Sequence, residues 1–144
     1  MMRMVLRCML VASILCLAAG SVSAEQLRVI GNRSVPVASL EQREIRNIYL
    51  GKKKVWENGM RVQFVILGKG DTQDAFLNKY LKKNHNTFTR YWKKKVFTGG
   101  GQAPKSFDKE RDLVEYVEKT KGAIGFVTSG AATDQVKILS EMTI

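Results

Sequence analysis

Past residue 24 the chain contains no cysteine; Cys8 and Cys16 are its only two, and His85 is its only histidine. That scarcity excludes much chemistry. No thiolate is left for nucleophilic attack, no Cys/His set for a structural zinc, and no disulfide can staple the fold. The patterns H-E-x-x-H, G-x-S-x-G and G-K-[ST] are absent too, which removes the common zinc-hydrolase, serine-hydrolase and nucleotide-loop readings. His85 lies in the polar stretch Lys83-Asn84-His85-Asn86, the setting of a surface or helix-capping residue. The chain is expected to be no enzyme and to need no cofactor or metal. It also has no repeat, no low-complexity tract and no linker.

Long hydrophobic runs are missing except at the start. Residues 1–7 carry Arg3 and Arg7, residues 8–19 are nearly unbroken apolar, and Gly20-Ser21-Val22-Ser23-Ala24 follows. A charged start, a short apolar middle and a small-residue end make a secretory signal peptide. The run is too short for a bilayer, which takes about 20 apolar residues. Cys16 follows Leu15, not the small residue that a lipid-attachment box requires. Residues 1–24 are therefore read as a cleaved signal peptide. Residues 25–144 are the working domain, 120 of 144 residues. That is enough for one core and little more. Export of a chain without disulfides fits a bacterial periplasm.

Acidic residues are outnumbered, 13 against 24 Lys and Arg. The net charge of +11 becomes +9 when Arg3 and Arg7 leave with the signal. Such a field favours anionic partners. Export argues against nucleic acid as that partner. The lysines cluster at 52–54, 82–83 and 93–95, each cluster on its own being an ordinary solvated face.

The remaining pattern alternates strands and helices. Residues 27–30 and 62–67 read as strands, the second apolar enough to be buried on both faces. Ser39-x-x-Gln42 matches a capping box, and Ile45, Ile48 and Tyr49 then share a helical face before Gly51. Asp71 or Thr72 is expected to cap a helix burying Phe76, Leu77, Tyr80 and Leu81. A helix from Thr87 places Phe88, Tyr91, Trp92 and Val96 together, and Thr98 with three glycines ends it. A helix over 107–121 turns Leu113, Val114 and Val117 inward. Residues 123–127 and 136–139 complete the strands. This order predicts an α/β layer with a mostly parallel sheet flanked by helices.

One turn stands out. Gly68-Lys69-Gly70 leads from the apolar strand into a helix N-terminus. Free N–H groups point outward there, and glycine lets an anion come close. In parallel sheets ligands gather at the carboxyl ends of strands. Lys69, Thr72 and the backbone at Gly70 are the natural contacts. Asp71 and Asp74 oppose them: both complement the helix dipole and repel an added anion. The run Gly99-Gly100-Gly101 is a weaker cradle, since glycines permit one without requiring it.

Longer stretches resemble a known family. Ser39-Leu40 to Gly51 with Trp56 and Gly59, then Arg90-Tyr91-Trp92, Phe97-Thr98-Gly99 and Thr120-x-Gly122-Ala123-Ile124-Gly125-Phe126-Val127, are similar in order to the phosphate-binding proteins of bacterial ABC importers. The resemblance runs from about Leu27 to Leu139. It implies a single lobe of a type II periplasmic-binding-protein fold, the second of the two lobes that close on the anion in that family. It makes Trp56 and Trp92 packing residues. It carries the anion loop onto Gly68, Lys69, Gly70, Thr72 and Gln73, with departures. Gly68 falls where the family has arginine, Gln73 where it has glycine, and Asp74 where it has threonine. A lysine beside the lost arginine is a point charge, not a bidentate fork.

Two functions follow as expectations. One is binding of phosphate or a related oxyanion for an ABC permease. The other is a ligand-free module docking on an envelope protein or an anionic surface. A homodimer would rebuild a two-sided cleft from two such lobes. Export itself is directly checkable: protein recovered from the cell envelope fraction should begin at Glu25, read by intact mass, and a chain still starting at Met1 would refute cleavage.

Overall fold

The computed structural model describes residues 24–144; the expected signal peptide lies outside the described residues, Ala24 excepted. Five strands and four helices follow in the order β1 (Gln26–Gly31), α1 (Gln42–Tyr49), β2 (Gln63–Leu67), α2 (Asp71–Phe76), α3 (His85–Phe97), β3 (Lys105–Phe107), α4 (Glu110–Lys119), β4 (Ala123–Thr128) and β5 (Lys137–Thr143). A π-helical turn, Leu77–Leu81, continues α2. The strands form one sheet ordered β3-β2-β4-β1-β5.

Strand β4 lies at the centre, and residues 123–127 are all buried. Side chains alternate across a strand, so its two faces do different things. Gly125 faces α4: a Cβ there would lie 2.6 Å from Leu113 Cδ2 and 3.3 Å from Val117 Cγ2. Phe126 faces the other layer, stacked on Phe76 with centroids 3.8 Å apart and planes 4° from parallel. Tyr49 of α1 meets Phe76 edge-on at 4.6 Å. Helices therefore cover both faces, α4 on one and α1 with α2 on the other. Tyr49 is wholly buried, which holds its phenol well above its ordinary pKa, and its hydroxyl donates to Val65 O at 3.0 Å. A buried hydroxyl needs such a partner.

The α/β layer with flanking helices is as the sequence predicts, and the sheet is mixed rather than mostly parallel. β2 runs parallel to β3 and to β4, whereas β1 is antiparallel to both β4 and β5. The connection over residues 32–62 leads from β1 into β2 running the opposite way, and the link 129–136 carries the chain back past β1, so that β5 starts beside Gly31 and runs in the direction of β4. β1 is left sandwiched between the two.

Several boundaries differ from the sequence expectation. Helix α1 starts at Gln42 behind Glu41, whose side chain and that of Glu44 form the capping box. Gln42 instead donates its side-chain amide to Lys79 O. Helix α2 is preceded by Gly70, with no side-chain cap from Asp71 or Thr72. Helix α3 begins at His85 because Asn84 accepts from Thr87 N and caps it. Residues 105–107 are a strand, so α4 starts at Glu110. β2 is fully buried on one face only, at Val65 and Leu67, and not on both as the sequence suggests. Its outer neighbour β3 is three residues long, which leaves Phe64 and Ile66 partly open. Val96 is 43% exposed and does not join Phe88 and Trp92 in the core.

The indoles pack, as the resemblance implies. Trp56 Nε1 donates to Gly122 O and Trp92 Nε1 to Tyr49 O, both at 3.0 Å. Asn32 closes the far end of α4 by donating to Val117 O and Glu118 O, each at 2.8 Å. It thereby satisfies carbonyls that the helix leaves free. Gly122 turns the chain from α4 into β4 at φ +74°, and a Cβ there would sit 2.3 Å from Arg61 O. Backbone, not a flexible side chain, blocks that space. Gly122→Ala should therefore cost about 2 kcal/mol or more, read as a lower urea midpoint at unchanged m-value.

Candidate functional site: the strand ends

Parallel alignment brings the carboxyl ends of β2, β3 and β4 to one edge of the sheet. Gly68 N donates to Phe107 O at 2.9 Å and ties the Gly68-Lys69-Gly70 turn to the end of β3. Gly70 is extended, at φ 166°, and stores no strain. Lys69 is exposed and Thr72 half-buried beside it. Gly68, Lys69, Gly70 and Thr72 therefore share one mouth. Gln73, the fifth candidate, is turned away from solvent: it is 0% exposed, and neither its Oε1 nor its Nε2 has a partner.

The mouth contains a residue that sequence reasoning did not single out. Glu110, the first residue of α4, reaches across to both neighbouring elements. Its Oε1 accepts from Thr72 Oγ1 at 3.2 Å and from Thr128 N at 3.0 Å. The Thr128 hydroxyl lies 3.1 and 3.0 Å from the two carboxylate oxygens. An anionic acceptor thus sits among hydroxyl and backbone donors at the strand ends, in the arrangement that a small oxyanion would need. The donors are engaged by the protein's own carboxylate.

Further carboxylates crowd the same edge. Asp71 and Asp74 occupy the first turn of α2. Asp108 Oδ1 lies 3.4 Å from where a Gly68 Cβ would be. Against these stand the exposed Lys69, Lys109 and Arg111. The mouth is close to neutral although the whole protein is strongly basic. His85 is half-buried at the start of α3 and far in sequence from these loops. Among the described residues no group of three or more His, Cys, Asp or Glu is arranged to hold a metal. No helix among them is long and apolar enough to cross a membrane.

The helix start explains why Glu110 escapes a sequence reading. A helix expected from residue 107 makes residue 110 an interior position. β3 delays the start by three residues and puts Glu110 at the mouth. Thr128 carries no motif at all; only the register of β4 brings it there.

No protein-family profile matches the chain, and no curated protein matches it. Solved structures do. An ABC-type phosphate transport receptor from Vibrio cholerae is similar at 17% identity and TM-score 0.56, over 81% of this chain and 46% of the receptor. A putative phosphate ABC transporter substrate-binding protein with bound phosphate, from Clostridium perfringens, matches at 20% identity and TM-score 0.60, over 81% and 45%. PstS from Borrelia burgdorferi matches at 15% and 0.63, over 81% and 47%. This chain spans about half the length of each. What it shares with the phosphate ABC transporter substrate-binding proteins is their fold, over that half.

Proposed function

We propose that this chain is an exported, non-enzymatic binding module of the substrate-binding-protein fold, acting in the periplasm by docking on an anionic partner, with the oxyanion place at its strand ends filled by its own Glu110. The observation that carries this is the Glu110 carboxylate on Thr72 and Thr128. A free phosphate at the Gly68-Lys69-Gly70 turn would meet Glu110, Asp71, Asp74 and Asp108, with Lys69 as its nearest cation. Like charges within about 4–6 Å disfavour one another. The basic surface lies elsewhere on the molecule and is free to meet a larger anionic partner.

A second reading keeps the mouth as an oxyanion site, phosphate above all, serving an ABC permease. It is favoured by the exposed Lys69 and by the first turn of α2, which no side chain caps. Isothermal calorimetry separates the two. Under the docking reading, phosphate and sulfate give no saturable heat up to millimolar concentration. A stoichiometric site tighter than that would overturn it in favour of the oxyanion reading.

The internal contact has its own test. Glu110→Ala removes the acceptor from Thr72 and Thr128 and should lower stability by about 2 kcal/mol. In that background Thr72→Val should cost less than it does alone. Additive effects in the denaturation double-mutant cycle would show that the two side chains do not interact.

A further inference from the structure

The charge of this molecule is unevenly spread. From Ala75 to Phe107 there is no Asp or Glu, while Lys79, Lys82, Lys83, Arg90, Lys93, Lys94, Lys95 and Lys105 all fall in that stretch. Seven of the thirteen carboxylates lie at the strand ends or along α4, which carries Asp112, Glu115 and Glu118. Helix α3 is the middle of the acid-free stretch. Its inner side is set by Phe88 and Trp92, both buried. Its outer side follows from helical spacing: Arg90, Lys93, Lys94 and Phe97 stand three to four residues apart and are all exposed. Arg90, Lys93 and Lys94 are absent from the ion pairs formed among the described residues.

The stripe ends in an apolar tip. Phe97 is 91% exposed, the most open of the large hydrophobic side chains, and Val96 beside it is 43% exposed. Both also line an open groove of about 480 Å³, walled further by Ile66, Phe88, Trp92 and Pro104 and bordered by Lys93. Gly99 and Gly101, both at positive φ, turn the chain just after the helix. Nothing in the fold covers this tip.

We infer that the outer face of α3 seats on an anionic lipid surface. Arg90, Lys93 and Lys94 meet the phosphate headgroups, and Phe97 with Val96 enters the boundary between headgroups and acyl chains. Charge complementarity argues for an anionic occupant, since each Lys or Arg near such a surface adds about 1 kcal/mol. A bilayer is favoured over an acidic protein segment for two reasons. The Phe97 ring projects outward, where a soft apolar layer receives it without a preformed pocket. The helix also has its backbone groups satisfied along the stripe, so it offers a peptide main chain nothing to bond. The exposed side thus combines cations that attract anionic headgroups with an aromatic tip at its end that enters the apolar layer. This inference rests on the docking reading above and names its partner.

Co-sedimentation of the purified protein with vesicles tests it. Vesicles of equal parts phosphatidylglycerol and phosphatidylcholine should carry the protein down, and phosphatidylcholine alone should not. Binding should fall away near ~1 M salt, where the screening length is about 3 Å. Phe97→Ser should weaken binding about ten-fold, and Lys93→Gln with Lys94→Gln about thirty-fold. Both sets of changes are at exposed positions, so the circular dichroism spectrum should be unchanged. Equal binding to both vesicle types, or none to either, would overturn the lipid face. So would binding that Phe97→Ser and the lysine changes leave untouched. Calorimetry with phosphate judges the mouth separately, so the two readings fail by different measurements.

Discussion

The fold turns on the alternation of Gly125 and Phe126 at the centre of β4. One residue has no side chain and the other has a large flat one, and each requires its own layer. Leu113 approaches the strand at Gly125 more closely than a Cβ would allow, and Val117 would be in tight contact with one. Phe126 lies flat on Phe76 within a cluster that includes Tyr49. Cores of this density tolerate little change in volume. Helix α4 is thereby fixed on one face, α1 and α2 on the other, and the loops between them inherit their positions.

The chemistry at the strand ends follows from that arrangement. Once α4 is pinned against Gly125, its first residue stands over the ends of β2 and β4. Glu110 then joins α2 to β4 through Thr72 and Thr128. Hydrogen bonds to a charged acceptor are worth about 1.5–3 kcal/mol each, more than neutral ones. The arrangement both braces the lobe and engages the donors that an incoming anion would use. It gives a physical reason for a binding-protein fold to persist while its mouth is occupied from within.

The same packing divides the surface by charge. Seven of the thirteen carboxylates lie at the strand ends or on α4, and the stretch around α3 carries only positive charge. Net charge alone, at +11, hides this division. The positive field of the molecule comes from the basic side, because the near-neutral mouth contributes little to it. Phe97 and Val96 stand exposed side by side at the end of that side.

Most of the architecture was legible in the sequence. Four of five strands, all four helices and nearly all core positions follow from apolar periodicity and from stops such as Gly51 and Gly122. These are local properties, set by side-chain spacing and by backbone angles that only glycine adopts readily. The short strand β3 was not legible, because three residues carry no period. The antiparallel seat of β1 was not legible either, because strand direction depends on how the connections 32–62 and 129–136 travel in space. At the mouth, the Gly68-Lys69-Gly70 turn and Thr72 were visible as a motif. Glu110 and Thr128 were not: they lie 38 and 56 residues from Thr72 in sequence, and only sheet register joins them. The sequence by itself determined the layers, the basic charge and the family likeness. The tertiary structure alone decided that a carboxylate from α4 meets Thr72 beside the Gly68-Lys69-Gly70 turn, because that contact exists only once β4 holds both helices in place.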